Sequence, residues 1–111
     1  MPTEQELRET KDRVMAELEN VIDPELGIDI VNLGLVYDVH LDEHVNAEIE
    51  MTLTAMGCPL AGTIVSDVKN SLKELQELGE LGDVEVNIVW SPPWTKDKMS
   101  RYAKIALGVT D

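Results

Sequence analysis

From Leu35 to Thr54 the apolar residues recur at every second position, and this period constrains the fold more than any other feature of the chain. Leu35, Tyr37, Val39 and Leu41 fall on one side; Asp38, His40 and Asp42 fall on the other. After a polar connection at Glu43-His44, the residues Val45, Ala47, Ile49, Met51 and Leu53 alternate with Asn46, Glu48, Glu50, Thr52 and Thr54. Successive side chains of a strand point to opposite faces, so two such runs around a short turn predict an antiparallel hairpin with one buried face.

Helical spacing flanks this hairpin. Thr3 and Glu6 stand at capping-box distance, and Leu7, Val14, Leu18 and Val21 form one stripe of a first helix. That helix should stop near Asn20 to Ile22, because Asp23-Pro24 disfavours its continuation. A second helix is expected from Pro59, with Leu60, Ile64, Val68, Leu72 and Leu75 on its apolar side and Gly79 and Gly82 ending it. A third strand follows, with Val84, Val86, Ile88 and Trp90 inward. Thr95 is expected to cap a last short helix that packs through Met99, Tyr102, Ala106 and Leu107. The order α-β-β-α-β-α, with one apolar face on every strand, predicts an α+β fold. It is an open two-layer sandwich, with a three-stranded sheet, helices on one face and an acidic, wet outer face.

The 111 residues suffice for a single domain, expected to span 1–111, with one core. With no Phe and only 4% aromatic residues, that core must be aliphatic. The formal charge of −13 argues against nucleic acid and against anionic lipid surfaces, both of which select clustered Lys and Arg. No run is long and apolar enough to span a membrane, and the polar, acidic start is unlike a signal peptide, so a cytoplasmic protein is expected. Serine–histidine triads, phosphate loops and dinucleotide fingerprints are missing, which leaves hydrolase, kinase and dehydrogenase readings without support; a non-enzyme is expected.

Three stretches can carry chemistry. Thr52-Leu53-Thr54-Ala55-Met56-Gly57-Cys58-Pro59 places the one cysteine where a strand should end and a helix begin. Unpaired amides and the helix dipole there favour an anion and lower a thiol pKa from its free value of about 8.5; the alternative is a small buried hydrophobe. Asp23-Pro24-Glu25 sets two carboxylates around a proline, either to meet a metal or partner cation or to cap a turn. Trp90-Ser91-Pro92-Pro93-Trp94 is a stiff segment whose indoles form a platform or plug the ends of the core. His40 and His44 span a strand and its turn, and solvent exposure is the better reading of both. One cysteine cannot hold a conventional iron–sulfur (Fe–S) cluster by itself, since such clusters take about four thiolates.

Taken in order, Asp23-Pro24-Glu25, Ile30-Val31-Asn32-Leu33-Gly34-Leu35-Val36-Tyr37, Met51-Thr52-Leu53-Thr54 with Gly57-Cys58-Pro59, and Trp90 to Ser100 resemble the metal–sulfur cluster biosynthetic family that includes the SufT and PaaD-like proteins. The resemblance runs from about Val14 to Val109. It implies an Fe–S assembly domain and a non-enzymatic accessory role in assembling clusters or maturing Fe–S client proteins. It also implies Cys58 as the functional thiol, with Asp23, Glu25, Thr54, Gly57, Trp90 and Trp94 lining the site. A transient iron or Fe–S cluster on Cys58 is the implied cofactor, and scaffold or client proteins are the implied partners. A homodimer would bring two thiols together. The sequence lacks the cysteine-bearing tail of PaaD proteins, which serve aromatic-degradation oxygenases, and the P-loop ATPase of the nucleotide-binding relatives. A stand-alone SufT-like factor is therefore the best match, ahead of a docking adaptor or a PaaD-like oxygenase subunit. Met56 departs mildly from the expected turn residue.

Overall fold

The computed structural model describes residues 2–24, 26–54 and 61–108. Helix α1 (Glu4–Leu18) begins as its sequence dictates: the Thr3 hydroxyl accepts from the Glu6 amide at 3.1 Å, and Val14 and Leu18 are fully buried. Strands β1 (Val36–Leu41) and β2 (Ala47–Met51) form the expected antiparallel hairpin. Strand β3 (Val84–Ile88) lies parallel to β2, so the sheet is mixed with order β1-β2-β3. A parallel neighbour requires a crossover, which helices α2 (Ala61–Ser71) and α3 (Lys73–Glu77) supply.

Val39, Ala47, Ile49 and Met51 face the helices and join Leu18, Ile64, Val68 and Leu72 in one aliphatic core. Each of these side chains except Ala47 contributes about 1.5–3 kcal/mol on removal from water. Asp38, His40, Glu48, Glu50, Glu85 and Asn87 occupy the other face, so the α+β two-layer arrangement with an acidic outer face is present as expected.

Five local expectations are corrected. The register slips between Val36 and Asp38, leaving Tyr37 as an extra residue opposite β2; Val36, not Tyr37, pairs with Met51. A bulge of this kind turns one side chain out of the alternation, and the Tyr37 hydroxyl donates instead to the Pro92 carbonyl at 2.7 Å. Val45 does not open β2; it sits in the turn at φ 55°. Asp42 organises that turn, accepting from the amides of His44 and Asn46 at 2.8 and 2.9 Å. These bonds, with one from the Asn46 side chain, hold the Asp42 carboxyl below its ordinary pKa.

The long second helix is two helices with a break at Leu72, where the Ser71 hydroxyl donates back to the Val68 carbonyl at 2.8 Å, a bond that competes with the helical ladder. Its expected start at Pro59 and Leu60 lies outside the described residues. Strand β3 ends at Ile88, so Trp90 is not an inward strand residue and is 40% exposed. Finally, Thr95 makes no side-chain cap. A single 3-10 turn (Lys96–Lys98) precedes helix α4 (Arg101–Leu107), which is capped by Ser100 accepting from the Ala103 amide. The frame of α4 consequently shifts: Ala103 is buried and Tyr102 is exposed.

A β-branched residue in the left-handed region costs about 1–2 kcal/mol. Val45→Asn should therefore stabilise the protein by about 0.5–1 kcal/mol, because Asn tolerates that region and the turn's bonds use only the Val45 backbone. Chemical denaturation checks this; a loss of stability would show that partial burial of the Val45 side chain outweighs the strain.

Candidate functional site

The described parts of the candidate stretches come together at one end of the sheet, because β2 and β3 run parallel and β1 opposes them. The exits of β2 and β3 and the entrance to β1 therefore share an edge. There the Thr52 amide donates to the Leu35 carbonyl, and the Val89 amide donates to the Met51 carbonyl, both at 2.8 Å. The segment 29–35 then meets the segment 90–100. The Trp94 indole donates to the Leu33 carbonyl at 2.7 Å. The Ser100 amide donates to the Asn32 carbonyl at 2.7 Å, and Gly34 lies against the Lys98 backbone.

Below these contacts is a buried polar chain. Asp29, only 8% exposed, accepts from the Asn32 amide at 2.9 Å and from the Asn32 side-chain amide at 2.7 Å. Asn32 in turn accepts from the Ser100 hydroxyl at 2.7 Å. Two motifs 68 residues apart are thereby locked together. Neither Asp29 nor its role was singled out from sequence. Its visible signal is an Asp three residues before an Asn, the spacing of a side-chain-closed turn.

Asp23 is buried. Its carboxylate accepts from the Leu26 amide at 3.2 Å, while its backbone bonds Gly27 and Ile28 to close the turn. The turn-capping reading is therefore realised for Asp23, and it holds the carboxylate in a fixed place. The neighbouring Leu26 and Trp94 line a small apolar cleft of about 230 Å³ with Met99 and Leu107, which joins the Asp23 turn to the tryptophan segment. Thr54 is half-buried three residues past the end of β2. Trp90 lies on the matching exit of β3, so of the two indoles Trp94 packs on the core and Trp90 faces solvent. Glu25, Gly57 and Cys58 lie outside the described residues.

Thr52 adds a polar atom to this edge. Its hydroxyl is buried, close enough to the Tyr37 phenol to interact with it but not in full hydrogen-bond geometry with any described group. Partial burial raises the Tyr37 phenol above its ordinary pKa.

Residues 11–88 match the family model described as iron-sulfur cluster assembly protein. The chain belongs to this family. Among members of the iron-sulfur cluster assembly family it is 65% identical to the Fe-S protein maturation auxiliary factor YitW of Bacillus subtilis, over 89% of this chain and 94% of that relative. It is 64% identical to the Fe-S protein maturation auxiliary factor SufT of Staphylococcus aureus, over 81% of this chain and 99% of the relative. A crystal structure of a domain of unknown function from Bacillus anthracis superposes with a TM-score of 0.85 at 58% identity, covering 93% of this chain and 95% of that one. The SufT-like resemblance is thus shown, and an oxygenase subunit is not favoured.

Proposed function

We propose that the chain is a non-enzymatic accessory factor in the maturation of Fe–S proteins, acting through Cys58. The observation that carries the first half is near full-length identity to two Fe-S protein maturation auxiliary factors. The second half rests on position: the cysteine lies between the end of β2 and the start of α2. The exit of β2, from which that connection leaves, is bonded to the 29–35 loop through Thr52 and Leu35, and the same loop holds the Trp94 indole. A thiol at the opening of a helix is ionised more readily than a free one.

In this reading Cys58 contacts iron, a cluster or a client thiol transiently, while Asp23 and Glu25 supply negative charge for a bound cation. The one sulfur leaves most ligand positions of a cluster unfilled. Scaffold or client proteins would supply the rest, or a second copy of this chain. No helix among the described residues is long and apolar enough to cross a membrane, which is compatible with clients in the cytoplasm.

The test is Cys58→Ser in cells whose only copy is the variant. Aconitase activity should fall to that of cells lacking the protein, with the far-ultraviolet circular dichroism of the purified variant unchanged. Full aconitase activity would remove the thiol from the mechanism and leave a docking adaptor. An alkylation pKa of Cys58 well below about 8.5 separates the two readings independently.

A further inference from the structure

The face of the sheet turned away from the helices carries a second constellation, built without the cysteine. In the antiparallel register His40 stands directly opposite Glu48, and Glu50 stands opposite Asp38. One ligand atom from each of His40, Glu48 and Glu50 lies within 4.8 Å of the others. The His40 Nε2 atom is 3.0 Å from a Glu50 oxygen, while its Nδ1 faces an Asp38 oxygen at 3.9 Å. Asp38 is itself anchored by Lys11 at 2.9 Å. The imidazole is thus bonded to Glu50 in front, while Asp38 stands behind it at 3.9 Å, beyond hydrogen-bond distance but on the side from which a carboxylate orients a metal-ligating histidine through its second ring nitrogen.

From this geometry we infer that His40, Glu48 and Glu50 form a binding site for a divalent first-row transition cation, with Asp38 as the positioning residue behind the imidazole. Charge supports it. Two carboxylates and a neutral imidazole balance a dication, and among the described residues no Lys or Arg is ion-paired with Glu48 or Glu50. One nitrogen with two carboxylates suits Zn²⁺, Fe²⁺ or Co²⁺ better than the all-oxygen shells of Ca²⁺ and Mg²⁺. Bonds of about 2.0–2.2 Å in a tetrahedral shell put neighbouring ligand atoms about 3.3–3.6 Å apart, so side-chain rotation of little more than an ångström closes the set. Three protein ligands leave at least one position for water or a ligand from another molecule. The solvent-facing groove beside the trio, about 390 Å³ and bordered by Asp83 and Glu85, gives access to that position.

The test uses untagged, chelator-treated full chain carrying Cys58→Ser, so that its outcome does not depend on the thiol reading. Calorimetric titration with Zn²⁺ should show one equivalent bound. In the same background His40→Ala, Glu48→Gln and Glu50→Gln should each weaken binding by more than tenfold, and Asp38→Asn by about tenfold. Co²⁺ should give a visible absorption band that His40→Ala abolishes and His44→Ala leaves intact. Absence of binding, binding unchanged by His40→Ala, or equal sensitivity to His44→Ala would overturn the site.

Discussion

Gly34→Ala is expected to cost about 3 kcal/mol of stability, the sum of two separable terms. Gly34 has φ 78°, a region that a side chain enters at a cost of about 1–2 kcal/mol. A Cβ at this position would also stand 2.2 Å from the Lys98 carbonyl oxygen and 2.7 Å from its carbon. These are backbone atoms, and they are pinned. Next to them the Ser100 amide bonds Asn32, and on the other side the Leu35 amide bonds Ile30. Relief would require separating the 29–35 loop from the 96–100 segment, and overpacking of that kind costs about 1–3 kcal/mol.

Gly27 supplies the control. It has φ 71° but nothing within 4 Å of its would-be Cβ, so Gly27→Ala should register the strain alone. Urea unfolding of both variants decides the matter. Equal losses would show that the approach of Gly34 to Lys98 is not a constraint. If the contact is broken, Trp94 should also change its emission, because its indole bond ends on the adjacent Leu33.

Local pattern encodes some of these elements and long-range contacts encode the others. Period-two alternation around Glu43-His44 reported the hairpin correctly, because the buried face is set by Val39, Ala47, Ile49 and Met51. It could not report the bulge at Tyr37: an inserted residue shifts the phase by one, and because Val36 and Tyr37 are both apolar the shift leaves no mark in the sequence pattern. Capping chemistry located α1 from Thr3 but placed the cap of the last helix at Thr95, where the structure has Ser100. Both residues precede helix-compatible runs. Ser100 wins because its hydroxyl serves two partners, the Ala103 amide and Asn32, and the second is remote in sequence.

The candidate site shows the same division. The Asp23-Pro24 turn could be read locally, and Asp23 caps it as a local rule predicts. The resemblance put the four motifs in one site, yet only the folded sheet edge explains why Leu33 and Trp94 belong together. The polar chain through Asp29, Asn32 and Ser100 left no local trace beyond an Asp-x-x-Asn spacing, because its energetics depend on burial and on a partner from the far end of the chain. The His40 set was passed over for a related reason: its ligands converge across strands, whereas a sequence spacing reports only ligands along one element.

Asp29→Asn should destabilise the protein by about 2–3 kcal/mol, although it preserves the side chain's shape. Both carboxylate oxygens accept, one from the Asn32 backbone amide and the other from its side chain. An amide at position 29 can offer only one acceptor oxygen, and its NH₂ group would face an N–H donor in a nearly buried place. Rotating Asn32 to suit the new donor would turn its own NH₂ toward Ser100 and lose its present bond from that hydroxyl. The Ser100 hydroxyl would then reorient to accept, weakening its service to the Ala103 amide. Damage at residue 29 should in this way reach the cap of α4. Ser100→Ala alone removes that cap at a cost of about 1 kcal/mol and strands the Asn32 oxygen as well. Since the two substitutions break one chain of bonds, the double variant should lose less than the sum of the singles, by at least about 0.5 kcal/mol. Denaturation of the four proteins in the cycle measures this coupling directly. Additivity within about 0.3 kcal/mol would mean that the loop and α4 are stabilised independently, and that the two segments are joined by the Ser100 and Trp94 bonds to the loop carbonyls and the packing of Gly34 on Lys98 rather than through the Asp29 chain.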